Sequence, residues 1–137
     1  VKQPGSARKN QGDSESGAAA VEFALVLPVL LIVLLGIIEF GAAYNAQLLL
    51  TNAAREAARS YSITADETAA VAAASTATEV IGLPLTASDI DFAVTPNGVC
   101  SSPAMLTVTV TVQKPLLTGF FGATLPLSGK ATRQCGG

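Results

Sequence analysis

The sequence predicts an α+β protein: a single N-terminal transmembrane helix extended into a long stem, then a second helix and a small antiparallel sheet of about three strands packed on the stem. Three observations carry this. An apolar run of about 21 residues, Ala18 to Ile38, has the length of a membrane-crossing helix. Small apolar residues then recur at helical spacing as far as Tyr61, and an Ala-rich helical stretch follows. Beyond Pro84 the apolar period changes to two, the period of a half-buried strand.

Val1 to Gly17 reads VKQPGSARKNQGDSESG, polar and without apolar periodicity, and is expected to be a disordered leader. From Ala18 the composition flips to AAAVEFALVLPVLLIVLLGII, apolar on every face and carrying one charge, Glu22. A buried core helix is the alternative, but a chain this short could hardly wrap one. Pro28 removes one backbone donor and should kink the helix, which membrane helices tolerate. Lys2, Arg8 and Lys9 precede the span, whereas Glu39 to Ala54 contains no Lys or Arg. The positive-inside bias therefore places residues 1–17 in the cytoplasm and residues 39–137 outside. A cleaved signal peptide ending near Gly41-Ala42-Ala43 is the rival, opposed by the length of the run and by a carboxylate in its first turns.

Glu22 is the most informative residue. A carboxylate at the edge of a hydrocarbon span is costly and points to a partner. It could also lie shallow enough to reach headgroups, or be protonated. If the chain is cut after Gly17, Ala18 gains a free ammonium and Glu22 becomes the fifth residue, on the same helix face. Staggered subunits would then set each Glu22 against a neighbour's terminus, where excluded water strengthens the attraction. Misaligned copies would leave a carboxylate unpaired, so the charge acts as a register device.

Past the span, Ala43, Ala46, Leu50, Ala53, Ala57 and Tyr61 form one apolar stripe, with Asn45, Asn52, Arg55, Glu56 and Arg59 mainly off it. The helix is thus expected to continue for about 44 residues from Ala18, roughly 65 Å. Arg55, Glu56 and Arg59 read as a solvated face or as subunit contacts. Thr64-Ala65-Asp66-Glu67 fits a capping box with Thr64 as N-cap, opening a second helix to about Ile81 that Gly82 and Pro84 close.

Ile90, Phe92 and Val94 alternate with Asp91 and Ala93, and Pro96-Asn97-Gly98 marks a turn. Leu106, Val108, Val110 and Val112 alternate with Thr107, Thr109, Thr111 and Gln113, the clearest strand in the chain. A weaker third strand near Leu125 to Gln134 contains Gly129. A hairpin between the last two strands brings Cys100 and Cys135 to one end of the sheet. Outside the cytoplasm a bridge is expected there, and closing about 36 residues would contribute about 3–4 kcal/mol. The spacing is not C-x-x-C and the chain has no His, which speaks against metal or redox chemistry. The hairpin connection places Leu116, Leu117, Phe120 and Phe121 among Gly and Pro. Packing onto the helix to fill the core is expected, the alternative being an exposed apolar tip, with Phe120 and Phe121 as partner contacts.

Composition narrows the function. Half the residues are hydrophobic and only 13% are charged, with a net charge of −2, the wrong sign for coating nucleic acid. No His and two Cys leave little for a zinc site or a His-based triad. Ser128 and Lys130 are isolated, and no phosphate loop, paired acids or nucleophile elbow occurs. An enzyme is therefore rejected, and no cofactor, metal or small-molecule substrate is expected.

Gly17 followed by Ala18-Ala19-Ala20-Val21-Glu22-Phe23 resembles the processing site of Tad/Flp type IV-like pilins. The longer string GAAAVEFALVLPVLLIVLLGIIEFGAAYNAQLLLTNAAREAAR, Gly17 to Arg59, is similar to the TadE-like minor pilins, or pseudopilins. Two features depart from the family: the leader is less basic than usual, and Ala57 follows Glu56 where Gly is expected. The resemblance implies a pilin-like stem and cleavage by a prepilin peptidase between Gly17 and Ala18. It also implies retention in the bacterial cytoplasmic membrane and delivery to a pilus assembly machine. Other pilus subunits are the implied partners, with Glu22 and Phe23 at the assembly surface and pilus assembly, adhesion or surface attachment as the task. The competing reading is an uncleaved single-span anchor that presents the sheet domain as a binding module.

Overall fold

The computed structural model describes residues 12–119 and 122–136. They form helix α1 (Gly12–Thr64), helix α2 (Glu67–Thr78) and strands β1 (Ile90–Thr95), β2 (Met105–Pro115) and β3 (Thr124–Gln134). This is the α+β arrangement that the periodicities predict. Two units divide these residues, one ending at Ile37 and one beginning at Ile38.

In the first unit α1 begins at Gly12, ahead of Ala18, so Gly12 to Gly17 are helical rather than a disordered leader. Pro28 lies inside the helix. The side chains from Val21 to Ile37 are almost all exposed, Leu25 and Ile37 among them. Among the described residues α1 is the one helix long and apolar enough to cross a membrane.

In the second unit the rest of α1 supplies the core with small residues. Ala43, Ala46, Leu50, Ala53 and Ala57 are buried, as their spacing predicts, and Ala54 and Ala58 are buried beside them. The buried face is thus wider than one stripe, because the helix lies against more than one element. Tyr61 stacks on Phe92 of β1 with ring centroids 4.9 Å apart.

α1 ends at Thr64, whose hydroxyl donates to the Ser60 carbonyl at 2.9 Å, and Ala65 turns the chain with φ of 50°. The N-cap of α2 is Asp66, not Thr64. Its Oδ1 accepts from the Thr68 amide at 2.8 Å, while the Thr64 hydroxyl, at the end of α1, accepts from the Asp66 amide at 3.2 Å and so meets the donor just before the second helix rather than one inside it. α2 buries Ala70, Ala74 and Thr78 and tightens into a 3-10 turn, Glu79–Ile81. Gly82, at φ of 63°, closes it with its amide on the Glu79 carbonyl.

The sheet is an antiparallel meander in the order β1-β2-β3. Ile90 pairs with Val110 and Phe92 with Val108; on the other side Val110 pairs with Gly129 and Val112 with Leu127. Leu106, Val108, Val110 and Val112 all point into the core, and the Thr positions between them point away. Gly129 is buried in the middle of β3, and a Cβ built there would collide with the carbonyl group of Leu50 and the amide nitrogen of Thr51. Helix backbone therefore rests directly on strand backbone at this point. The Gln47 side-chain amide donates to the Ser128 carbonyl next to it.

Candidate functional site

Gly17, Ala18, Glu22 and Phe23 all lie on α1 in the first unit, and all four are exposed. A Cβ on Gly17 would meet nothing within 4 Å, so packing inside the chain does not require glycine at that position. Glu22 and Phe23 follow one turn later, and Glu22 has no partner among the described residues. A carboxylate among exposed apolar side chains is a group that a cation or donors from another molecule would satisfy.

The second unit holds a carboxylate in the opposite condition. Glu39 is 6% exposed and lies one turn before Ala43, in line with the buried residues Ala46 and Leu50. The Thr118 hydroxyl donates to its Oε2 at 2.6 Å, and the Thr118 amide approaches Oε1 at 3.4 Å. Thr118 reaches that place because the β2–β3 connection closes on itself. The Leu116 amide donates to the Ala123 carbonyl, the Gly122 amide donates to the Gly119 carbonyl, and Gly119 takes a φ of 63°. Glu39, Phe40, Ala43, Leu116 and Leu125 together line a cavity of about 70 Å³. The described part of the connection thus lies against the helix, fastened by a polar contact. Leu117 stays exposed, while Leu116 is half-buried. Phe120 and Phe121, expected as partner contacts, lie outside the described residues, as do Lys2, Arg8 and Lys9 of the expected leader.

Sequence reasoning missed the Glu39–Thr118 pair, although a signal was present. Glu39, Ala43, Ala46 and Leu50 fall at spacings of four, three and four, so Glu39 extends the apolar stripe by one turn. An acid on a buried stripe needs a donor, and the polar residue in PLLTGFF is Thr118.

Cys100 and Cys135 are joined by a disulfide with Cα atoms 5.2 Å apart. The Cys135 amide donates to the Ala104 carbonyl at 2.9 Å, and the Gly136 amide reaches Ser62 of α1 at 3.3 Å. The bridge, the end of β3 and the end of α1 therefore meet in one place. Arg55, Glu56 and Arg59 are exposed. Among the described residues no group of three or more His, Cys, Asp or Glu side chains could hold a metal ion.

One apolar helix of membrane-crossing length, continuing as the spine of a small α+β unit, defines a class of protein compatible with a single-pass membrane anchor. Residues 17–59 match the model of the TadE-like protein family, and that segment is similar to it. No curated protein and no solved structure matches it.

Proposed function

We propose that the chain is a minor pilin, or pseudopilin, of a Tad-type (Flp) pilus, acting structurally in pilus assembly, adhesion or surface attachment rather than as an enzyme. In this reading residues 18–38 span the bacterial cytoplasmic membrane, residues 1–17 are a cytoplasmic leader, and residues 39–137 stand outside. A prepilin peptidase cuts between Gly17 and Ala18. The new Ala18 ammonium is neutralised by Glu22 of an adjoining copy or of another pilin, and Phe23 packs beside it. The observation that carries this reading is the position of the TadE-like match, which opens on Gly17, the residue before the apolar run. Among the described residues the glycine has no packing role and the acid one turn later has no partner.

N-terminal sequencing and intact mass of membrane-extracted protein from cells holding the matching peptidase test this. Ala18 should be the first residue. A chain that keeps the residues before Ala18 overturns the pilin reading in favour of an uncleaved anchor, and one beginning near Tyr44 indicates secretion.

A further inference from the structure

The β2–β3 hairpin runs along α1 with its turn toward Ile38, where the second unit begins. At the far end the Gly136 amide reaches the Ser62 carbonyl. Lower down, Gly129 rests on the backbone of Leu50 and Thr51, and the Ser128 carbonyl accepts from the Gln47 side chain. Leu125 shares a cavity wall with Ala43, and Thr118 in the connection meets Glu39. Each step along β3 toward the turn thus meets an earlier turn of α1. From Ser62 to Glu39 the series descends about 35 Å along the helix.

Glu39 directly follows the apolar run that ends at Ile38. With residues 18–38 in the bilayer, α1 leaves the hydrocarbon there, and Phe40 and Tyr44 stand about 3 Å and 9 Å beyond Ile38. The headgroup layer is roughly 5–8 Å deep on each side. Helix side chains lean toward the N-terminus, which brings the Tyr44 ring down into that layer. Phe40 and Tyr44 are 69% and 68% exposed, and Leu117, beside Thr118 in the connection, is 74% exposed. Tyr61 and Phe92, at the far end of the unit, are instead half-buried and stacked on each other. At headgroup level the exposed rings and the leucine would bury apolar surface while the Tyr44 hydroxyl stays wet. The Glu39 carboxylate, which lipid disfavours, is turned onto Thr118 and almost wholly buried.

We propose that Leu117, Phe40 and Tyr44 form a lipid-contacting foot, seated in the headgroup layer of the bilayer that the preceding span crosses. The hairpin then stands on the membrane, with Glu39 and Thr118 holding its turn at that level and the disulfide carried away from the surface. A single span is free to tilt; a second attachment beside it fixes how the hairpin is presented to other subunits. The proposal rests on the reading of residues 18–38 as a membrane span, and needs neither the cut after Gly17 nor a filament.

The chain contains no Trp, so a single introduced indole reports alone. The full chain is placed in vesicles of phosphatidylethanolamine and phosphatidylglycerol, and in the same vesicles with acyl chains brominated near the headgroup. Leu117→Trp changes an exposed position, and Ile63→Trp, also exposed, carries the same indole beside Ser62 at the far end. Both should keep the circular dichroism of the parent. Emission of Leu117→Trp should lie at shorter wavelength than that of Ile63→Trp and fall by about half or more on bromination. Ile63→Trp should ignore the bromine and be quenched by iodide added to the water. A Leu117→Trp chain quenched by iodide as fully as Ile63→Trp, and untouched by bromine, overturns the proposal. So does a short-wavelength emission that bromine leaves intact and that fades as the protein is diluted in lipid, which would make the occupant another protein chain. Leu30→Trp, in the apolar run, separates the two readings. Bromine quenching at Leu30→Trp without quenching at Leu117→Trp removes the foot and leaves the span, whereas no quenching at Leu30→Trp removes both.

Discussion

The Thr118 hydroxyl lies 2.6 Å from Oε2 of Glu39, linking the tip region of the β2–β3 connection to a carboxylate one turn before the buried face of α1. Burying an acid is unfavourable unless donors meet it, so the loop and the helix hold each other in place. Glu39→Ala and Thr118→Val should each speed amide hydrogen exchange at residues 116–119, leaving β1 and the centre of β2 protected. The double variant should be little worse than either single change, since both remove one interaction. Exchange measured by mass spectrometry checks this, and unchanged rates in both single variants would show that the contact does not order the loop.

Gly129→Ala should destabilise the second unit by about 1–3 kcal/mol or more, because the added methyl meets helix backbone, which cannot rotate away as a side chain can. Urea unfolding followed by circular dichroism gives the number. Leu50→Ala, which empties a fully buried site on α1, should cost about 2–5 kcal/mol in the same measurement. Leu25→Ala, in the exposed apolar stretch of the first unit, should leave that transition where it is.

Removing the bridge by Cys100→Ser/Cys135→Ser should lower stability by about 2–5 kcal/mol, as expected when a small domain loses its crosslink. Protein taken from an oxidising compartment should migrate differently before and after reduction. Alkylation of both thiols without reduction would exclude the bridge.

Glu22→Gln and Glu22→Ala should insert into membranes as the parent does, since both make the helix less polar. Both should be depleted from sheared filaments relative to the membrane fraction. Undiminished incorporation of both would remove the pairing of this acid with a neighbouring terminus.

What could be read in advance follows from how many demands each residue serves. β2 is plain in the sequence because its Leu and Val residues answer only to the core and its Thr residues only to water. β3 is faint because Gly129 weakens strand propensity for the sake of contact with α1, a requirement set by a residue far away in the chain. The N-cap of α2 was misplaced for a local reason: Thr64 and Asp66 are both good caps, and the choice depends on where α1 stops. Glu39 follows the apolar run directly and extends the buried stripe by one turn. Its burial depends on Thr118, which only the hairpin brings near.

A crosslink between Cys100 and Cys135 also sets how this domain responds to being pulled. The strands β2 and β3 lie wholly within the loop it closes, 35 residues in separation, so roughly 120 Å of contour is withheld from any stretching force applied outside the loop. Tension passing along the chain would cross the sulfurs instead of unzipping the hairpin. A domain built this way would yield at α2 and β1 and recover, keeping its larger strand pair as a template for refolding.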